Sequence, residues 1–489
     1  MSHVSNVDVY LELCGDVVEV ALTISRSFSP LTTHPTPHSP LPACCELSFP
    51  VPSSRVLTTD IHSPRAVNHA LAKYMHLLAS GATYKMKPRQ DGLPSLLLLP
   101  YPPVPSSRTL LNAAYRPSLK ASLSKLRASG GPSKLVVAIA CPILHGEFLH
   151  SKVLSWPQAQ ALLAGVYSLI SVVCAELKIA TELDGGPGSV DVTVVLVDHN
   201  RERRFPFDAP PKIQTNNTIV VDLATFASAY HPWKSIFHVT NELGLELRHA
   251  YLKLAEGKQT LLQEQLVPVE GGLTLNGTQE DSPTHPPPTP GYAVVCLGGT
   301  FDYLHPGHKL LLTAAALLLE VPLTEPYQPC RLIIGVTGDE LLRNKKFAEY
   351  VQSWPERARN VIVFLSRVLQ ISARGWQDSD LPDIVEEDGD FRASFRDGAI
   401  SVQCVRIQDA FGPTITLGNM DALVVSGETR SGGRAVNDRR AEKGWKTLQV
   451  FEVDVLDAEE ISDGANTPDN FASKISSTAI RQRRAQTSK

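Results

Sequence analysis

Residues 298–308 read GGTFDYLHPGH, and they follow directly on the apolar run AVVCL at 293–297. Two glycines, an aspartate and two histidines fall within this short string, the histidines separated only by Pro-Gly. A short continuous apolar run closed by glycine reads as a strand buried on both faces, and Pro306 suits the first turn of a helix. The stretch is therefore predicted to be the turn from a first strand into a first helix, where an open α/β sheet meets its ligand. Gly298 and Gly299 let backbone come close to that ligand, and the free N–H groups and positive dipole end of the helix favour an anion. His305 and His308 stand three apart and face the same way. Two donors aimed at one place suit a phosphate chain. Either histidine alone would read more simply as a helix cap or a packed core residue.

Further apolar runs lie downstream at 331–336, 402–407, 422–426 and 448–455, separated by helical stretches at 306–321, 355–369 and about 433–444. Continuous rather than alternating apolar strands imply burial on both faces, hence a parallel sheet sandwiched by helices. Residues 291–489 are expected to form a doubly wound, Rossmann-like α/β domain. The acidic run at 378–398 is expected to be a solvated insertion, since EF-hand ligand spacing is missing. Upstream, 266–290 ends in DSPTHPPPTP and reads as a proline-rich linker. Residues 1–265 carry strand-like runs at 135–140, 190–197 and 218–223 and helical patterns at 157–175 and 233–255. They form a separate α/β domain of unknown type, with a Pro/Ser-rich loop near 28–55. No GxGxxG, P-loop, paired-cysteine metal pattern or nucleophile elbow occurs in 1–265.

The 489 residues carry a net charge of −4, 43% hydrophobic and 20% charged residues. That balance argues against a nucleic-acid partner, which would call for a strongly basic domain. The most apolar stretch, ALLAGVYSLISVVCA at 161–175, is too short to span a bilayer and reads as a core helix. The eight cysteines are scattered without a CxxC pair and read as buried thiols of a reducing compartment. With neither a secretory nor an Arg-rich transit pattern at the N-terminus, a cytoplasmic protein without membrane attachment is expected.

Four blocks in order, LGGTFDYLHPGHKLLL (297–312), GVTGDELLRNKKFAEYVQSWPERARNV (335–361), LVVSGETRSGGRAVNDRR (423–440) and KISSTAIRQR (474–483), resemble the HxGH nucleotidyltransferase superfamily. Within it they are most similar to the eukaryotic-type phosphopantetheine adenylyltransferases of coenzyme A biosynthesis. The resemblance covers 291–489, about two fifths of the chain. It implies transfer of AMP from ATP to 4′-phosphopantetheine, giving dephospho-coenzyme A and pyrophosphate. The attacking phosphate is already ionised at neutral pH, so catalysis reduces to alignment and stabilisation of charge.

The resemblance also implies roles for particular residues. His308 and His305 would contact the ATP phosphates, and Lys345, with Lys346 in reserve, would hold the substrate phosphate. Gly298, Gly299, Phe301, Glu428, Thr429, Ser476, Ser477, Thr478 and Arg481 would bind nucleotide, whereas Thr300, Asp302 and one of Arg430 and Arg434 would serve the acceptor. Mg²⁺ is expected with ATP, held mostly by phosphate oxygens, and no metal ligand is assigned. A separate dephospho-coenzyme A kinase is expected, since no P-loop occurs; subunit number is not set by these motifs. Two alternatives stand beside this reading. One is a superfamily transferase using nicotinamide mononucleotide, choline phosphate or ethanolamine phosphate. The other is a catalytically silent relative acting as a scaffold.

Overall fold

A computed structural model describes residues 7–14, 17–24, 92–145, 153–182, 185–200, 218–229, 232–259, 261–273, 288–322, 328–371, 383–454, 456 and 476–487. The Pro/Ser-rich loop expected near 28–55 and most of the proline-rich stretch, 274–287, lie outside these residues. The chain divides into two compact units, Met1–Lys87 and Pro88–Lys489. In the first, β1 (Val7–Cys14) and β2 (Val17–Ile24) pair as an antiparallel hairpin.

The second unit opens with a six-stranded sheet. Its strands are β3 (Ser95–Leu99), β4 (Ser133–Cys141), β7 (Val190–Asp198), β8 (Val221–Asp222), β9 (Ile236–Val239) and β10 (Leu266–Val269), in the order β10-β9-β3-β4-β7-β8 and parallel throughout. Between β4 and β7, β5 (Leu144–His145) and β6 (Val153–Leu154) make a small antiparallel pair. The helices are α1 (Arg108–Ala128), α2 (Trp156–Glu176), α3 (Leu223–Ser228) and α4 (Glu242–Ala255). Every residue of β3 and β7 is buried, as a parallel sheet covered on both faces demands. Strand β3 and helix α1 were not foreseen, although SLLLL is a continuous apolar run and Ser107 caps α1 by accepting from Leu110 N at 3.3 Å. The stretch expected as one helix at 233–255 is a strand followed by a helix. Helix α2, long and apolar enough to cross a membrane, is a core helix, buried along nearly its whole length.

The strand β10 corrects the expected linker at its first residues. Leu266–Val269 pairs with β9, and Val269 is buried in the core. Pro268 is tolerated because β10 is an edge strand, where a missing N–H costs no ladder bond.

The second sheet holds β11 (Val294–Gly299), β12 (Cys330–Thr337), β15 (Ile400–Ile407), β16 (Ala422–Ser426) and β17 (Gln449–Val453), all parallel in the order β15-β12-β11-β16-β17. The order reverses beside β11, as expected of a doubly wound sheet. Its helices are α5 (Pro306–Ala316), α6 (Trp354–Leu369), α7 (Arg430–Glu442) and α8 (Ser477–Thr487). The acidic stretch is not a plain insertion. Within it, β13 (Val385–Glu387) and β14 (Asp390–Phe395) form a hairpin that extends the sheet antiparallel to β15. DFRASF alternates buried and exposed residues, the period of a strand with one wet face.

The two sheets share one apolar core, in which α2 lies against α5. Trp156 Nε1 donates to Ala314 O at 2.8 Å, Arg396 Nη2 to Ile219 O at 2.7 Å, and Asp454 N to Gln160 Oε1 at 3.2 Å. Five cysteines, at 141, 174, 296, 330 and 404, are free and buried.

Candidate active site

The site begins where β11 leaves the sheet. Gly298 and Gly299 stand beside Gly335 and Val336 of β12, and the chain then turns through Phe301 and Tyr303, whose φ angles are +51° and +45°. Non-glycine residues rarely adopt that left-handed conformation, and here tertiary bonds hold it. Tyr303 N donates to Gln352 Oε1 at 2.8 Å, and Tyr303 Oη to Tyr350 O at 2.7 Å. The turn folds Phe301 back so closely that a side chain at Gly299 would meet its ring at 3.0 Å. Phe301 was expected against the nucleotide. It is fully buried instead, its ring centroid 5.4 Å from that of His308, a floor beneath the histidine.

His305 takes the N-cap position of α5 in extended backbone, and His308 lies within the first turn. Their rings stack at a centroid distance of 3.9 Å and an interplanar angle of 24°. Both Nδ1 atoms are buried without a hydrogen-bond partner. Burial, helped by the charge of Lys309, pushes the His305 pKa down to about 4. Burial, the neighbouring His305 and the charge of Lys345 put His308 well below its ordinary value. The two rings are thus neutral at pH 7 and hold unused hydrogen-bonding capacity, which an arriving anion would satisfy while raising both pKa values. Lys345 itself is exposed on the loop after β12, near enough to act on His308.

Beneath this surface lies a set of buried cations that bond to the protein itself. Arg481 Nη1 donates to Asp302 Oδ2 at 2.5 Å and its Nε to Lys346 O at 3.0 Å. The other carboxylate oxygen of Asp302 accepts from Gln352 N at 3.0 Å. Ser477 Oγ donates to Asp302 O at 2.8 Å. Asp302 was expected to orient the acceptor and Arg481 to bind nucleotide; both are buried and consumed by each other, fastening α8 to the turn after β11. Arg357 at the start of α6 does the same work between loops. It donates to Thr300 O, Thr337 O, Asp339 Oδ1 and Gln352 O at 2.6–2.9 Å, tying the ends of β11 and β12 together. Nothing in a sequence distinguishes such an arginine from one that faces a ligand.

Around the rim, Ser476 caps α8 through Ala479 N at 3.3 Å, and Thr478 Oγ1 accepts from Arg481 Nη2 at 3.0 Å. After β16, Glu428 and Thr429 are exposed, Thr429 Oγ1 accepting from Ser426 N at 3.1 Å. Arg430 forms a two-pronged pair with Glu452, while Arg434 is exposed and has no partner among the described residues. Among the described residues no three His, Cys, Asp or Glu side chains converge to hold a metal ion.

The comparisons with known proteins divide the chain between its two sheets. Residues 296–483 match the cytidylyltransferase-like family, and residues 86–275 match a domain of unknown function, DUF8446. The C-terminal sheet and its helices are therefore a cytidylyltransferase-like domain, and the N-terminal sheet is a domain of its own. More particularly, the C-terminal domain is similar to phosphopantetheine adenylyltransferase of Saccharomyces cerevisiae, 35% identical over 191 residues, 39% of this chain and 48% of that protein. An uncharacterized protein of Schizosaccharomyces pombe is 36% identical over 194 residues, 40% of this chain and 48% of its own length. Phosphopantetheine adenylyltransferase of Thermococcus kodakarensis is 28% identical over 165 residues, 34% of this chain and 76% of that protein. The chain spans about half the length of the two yeast relatives it matches.

Proposed function

We propose that the chain transfers AMP from ATP to the phosphate of 4′-phosphopantetheine. An oxygen of the acceptor phosphate forms a bond to the α-phosphorus as the bond to pyrophosphate breaks, and dephospho-coenzyme A and pyrophosphate leave. The observation that carries this reading is the stacked histidine pair at the strand-order reversal, with both Nδ1 atoms buried and without a partner, and the charge of Lys345 acts on it from the rim. Three donors in one place can take up negative charge as it moves onto the leaving pyrophosphate. Arg434, without a partner among the described residues where Arg430 is paired, is the rim cation for the acceptor or the phosphate chain. Mg²⁺ would supply charge neutralisation as the partner of ATP. Asp302, the buried carboxylate of this loop, has both oxygens committed, so the ion would rest on phosphate oxygens.

The test is pyrophosphate release from Mg·ATP with 4′-phosphopantetheine, nicotinamide mononucleotide and choline phosphate offered separately. Release with phosphopantetheine alone, abolished by His308→Ala, is the expected result. Release with another acceptor alone would keep the chemistry and overturn the substrate. ATP binding without release from any acceptor would turn the reading to a scaffold.

A further inference from the structure

Lys309 is the residue after His308, and its side chain leaves α5 about 100° further round the helix. It runs into the N-terminal domain and is fully buried. There its ammonium meets three acceptors, Asp191 Oδ1 at 2.5 Å, Val192 O at 3.0 Å and Thr181 O at 3.3 Å. The second oxygen of Asp191 accepts from Arg367 Nη1 on α6. One carboxylate on β7 thus grips both helices that come after the first two strands of the nucleotidyltransferase sheet. Beside it, Glu182, also buried, faces Arg483 of α8 at 3.4 Å. Burial by itself would raise the pKa of Asp191, but Lys309 and Arg367 outweigh it and hold the carboxyl far below its usual range. Three of the helices that carry or latch the candidate site, α5, α6 and α8, are thus bonded to a domain that contributes none of its proposed contacts.

We infer that Asp191 of the N-terminal domain is a positioning residue for the histidine pair, holding the first turn of α5 in register with α6 through Lys309 and Arg367. A buried ion triad is weak as a source of stability, since apolar residues of similar volume often replace one without loss, whereas its directional bonds can specify register. Register matters here because small displacements of aligned groups cost large factors in rate. The role of this domain is then to set the geometry of a site it does not touch. The inference rests on the adenylyl-transfer reading only for its kinetic arm.

The test uses the full-length chain carrying Asp191→Asn. Pyrophosphate release is measured with ATP varied, and the imidazole resonances of His305 and His308, located by His305→Gln and His308→Gln, are compared with wild type. A folded variant is expected to lose at least about tenfold in kcat with KM for ATP within about twofold, because alignment and not binding is disturbed, and to show both resonances displaced. A folded variant with wild-type kcat and resonances overturns the inference. Should Asp191→Asn fail to fold, the triple variant Asp191→Leu, Lys309→Met, Arg367→Met replaces the triad with apolar volume and is read the same way. Should wild type release no pyrophosphate from any acceptor, the proposed reaction fails by itself, and the resonances decide the positioning role: displaced they sustain it, unmoved they overturn it.

Discussion

The two sheets of this chain are built on one plan and differ in the turns that leave their first strands. The first is parallel throughout and the second is parallel apart from its β13–β14 hairpin, and in both the first strand lies inside the sheet with a much later strand on its other flank, β9 beside β3 and β16 beside β11. After β3 the chain reads PYPPVPSS before a serine-capped helix; after β11 it reads TFDYLHPGH. The first turn is pinned by an ordinary core bond, Tyr115 Oη to Pro100 O at 2.7 Å, and carries no cation. The second is pinned by the buried Asp302–Arg481 pair and presents two unpartnered imidazoles. Architecture is shared and chemistry is local, the general rule that function lives in sites grafted onto folds.

Breaking the two pins should separate the sheets most clearly. Arg481→Met leaves Asp302 buried and uncompensated, a class of change that costs about 3–5 kcal/mol. Tyr115→Phe removes one neutral bond and should cost about 1 kcal/mol. Urea unfolding of the two variants measures both; equal losses would mean that the charged latch is no stronger than the neutral one. Next in size is the kinetic contrast. His308→Ala is expected to lower the turnover of pyrophosphate release about a hundredfold or more, whereas Tyr101→Ala, in the turn after β3, should leave it unchanged. A comparable loss from Tyr101→Ala would give the N-terminal turn a part in the chemistry.

The histidines also predict a pH dependence that the N-terminal turn lacks. With its folded pKa near 4 against an ordinary 6.5, His305 stays neutral in the folded chain while the unfolded chain takes up a proton. Between these values the unfolded state binds more protons, so stability falls as pH drops from about 6.5 towards 4 and is insensitive to this group above that window. His308, depressed in the same direction, adds to the effect. Melting curves across that range should show a smaller acid loss for His305→Gln than for wild type. Parallel curves would mean that the stacked rings are protonated in the folded state.

The same contrast explains which parts were legible in the sequence. Strands β11, β12 and β16 were readable because a parallel strand buried on both faces must be apolar at every position, and GGTFDYLHPGH concentrates rare residue types at one strand end. Strand β14 was masked by its acids, although its alternation was present. Phe301, Asp302 and Arg481 were assigned to ligands because their types and places suit that role; their burial depends on α8 returning to the first turn, a contact between residues 179 apart in the chain. Lys309 and Asp191, 118 apart, were invisible for the same reason. Long-range pairing decides whether a cation faces inward or outward, and periodicity carries no trace of it.

The smallest expected effect concerns the two arginines after β16. Arg430 spends its guanidinium on Glu452 in a pair at the solvent-facing surface, and pairs of that kind add little to stability once solvent screening is counted. Removing it should leave both the unfolding midpoint and the KM for ATP close to wild type. Arg434 lies one helical turn further along α7, exposed and with no partner among the described residues. A cation kept free at the carboxyl end of a parallel strand has nothing to hold in the protein alone, so its loss should register only when an anionic ligand is present. Arg434→Ala is therefore expected to raise the KM for one of the two substrates by about three- to tenfold, a single phosphate contact on a wet surface being worth roughly 1 kcal/mol, with unfolding unchanged. Which KM moves identifies the phosphate it meets. If Arg430→Ala raises a KM and Arg434→Ala does not, the pair with Glu452 opens on binding and the assignment of the two arginines is reversed.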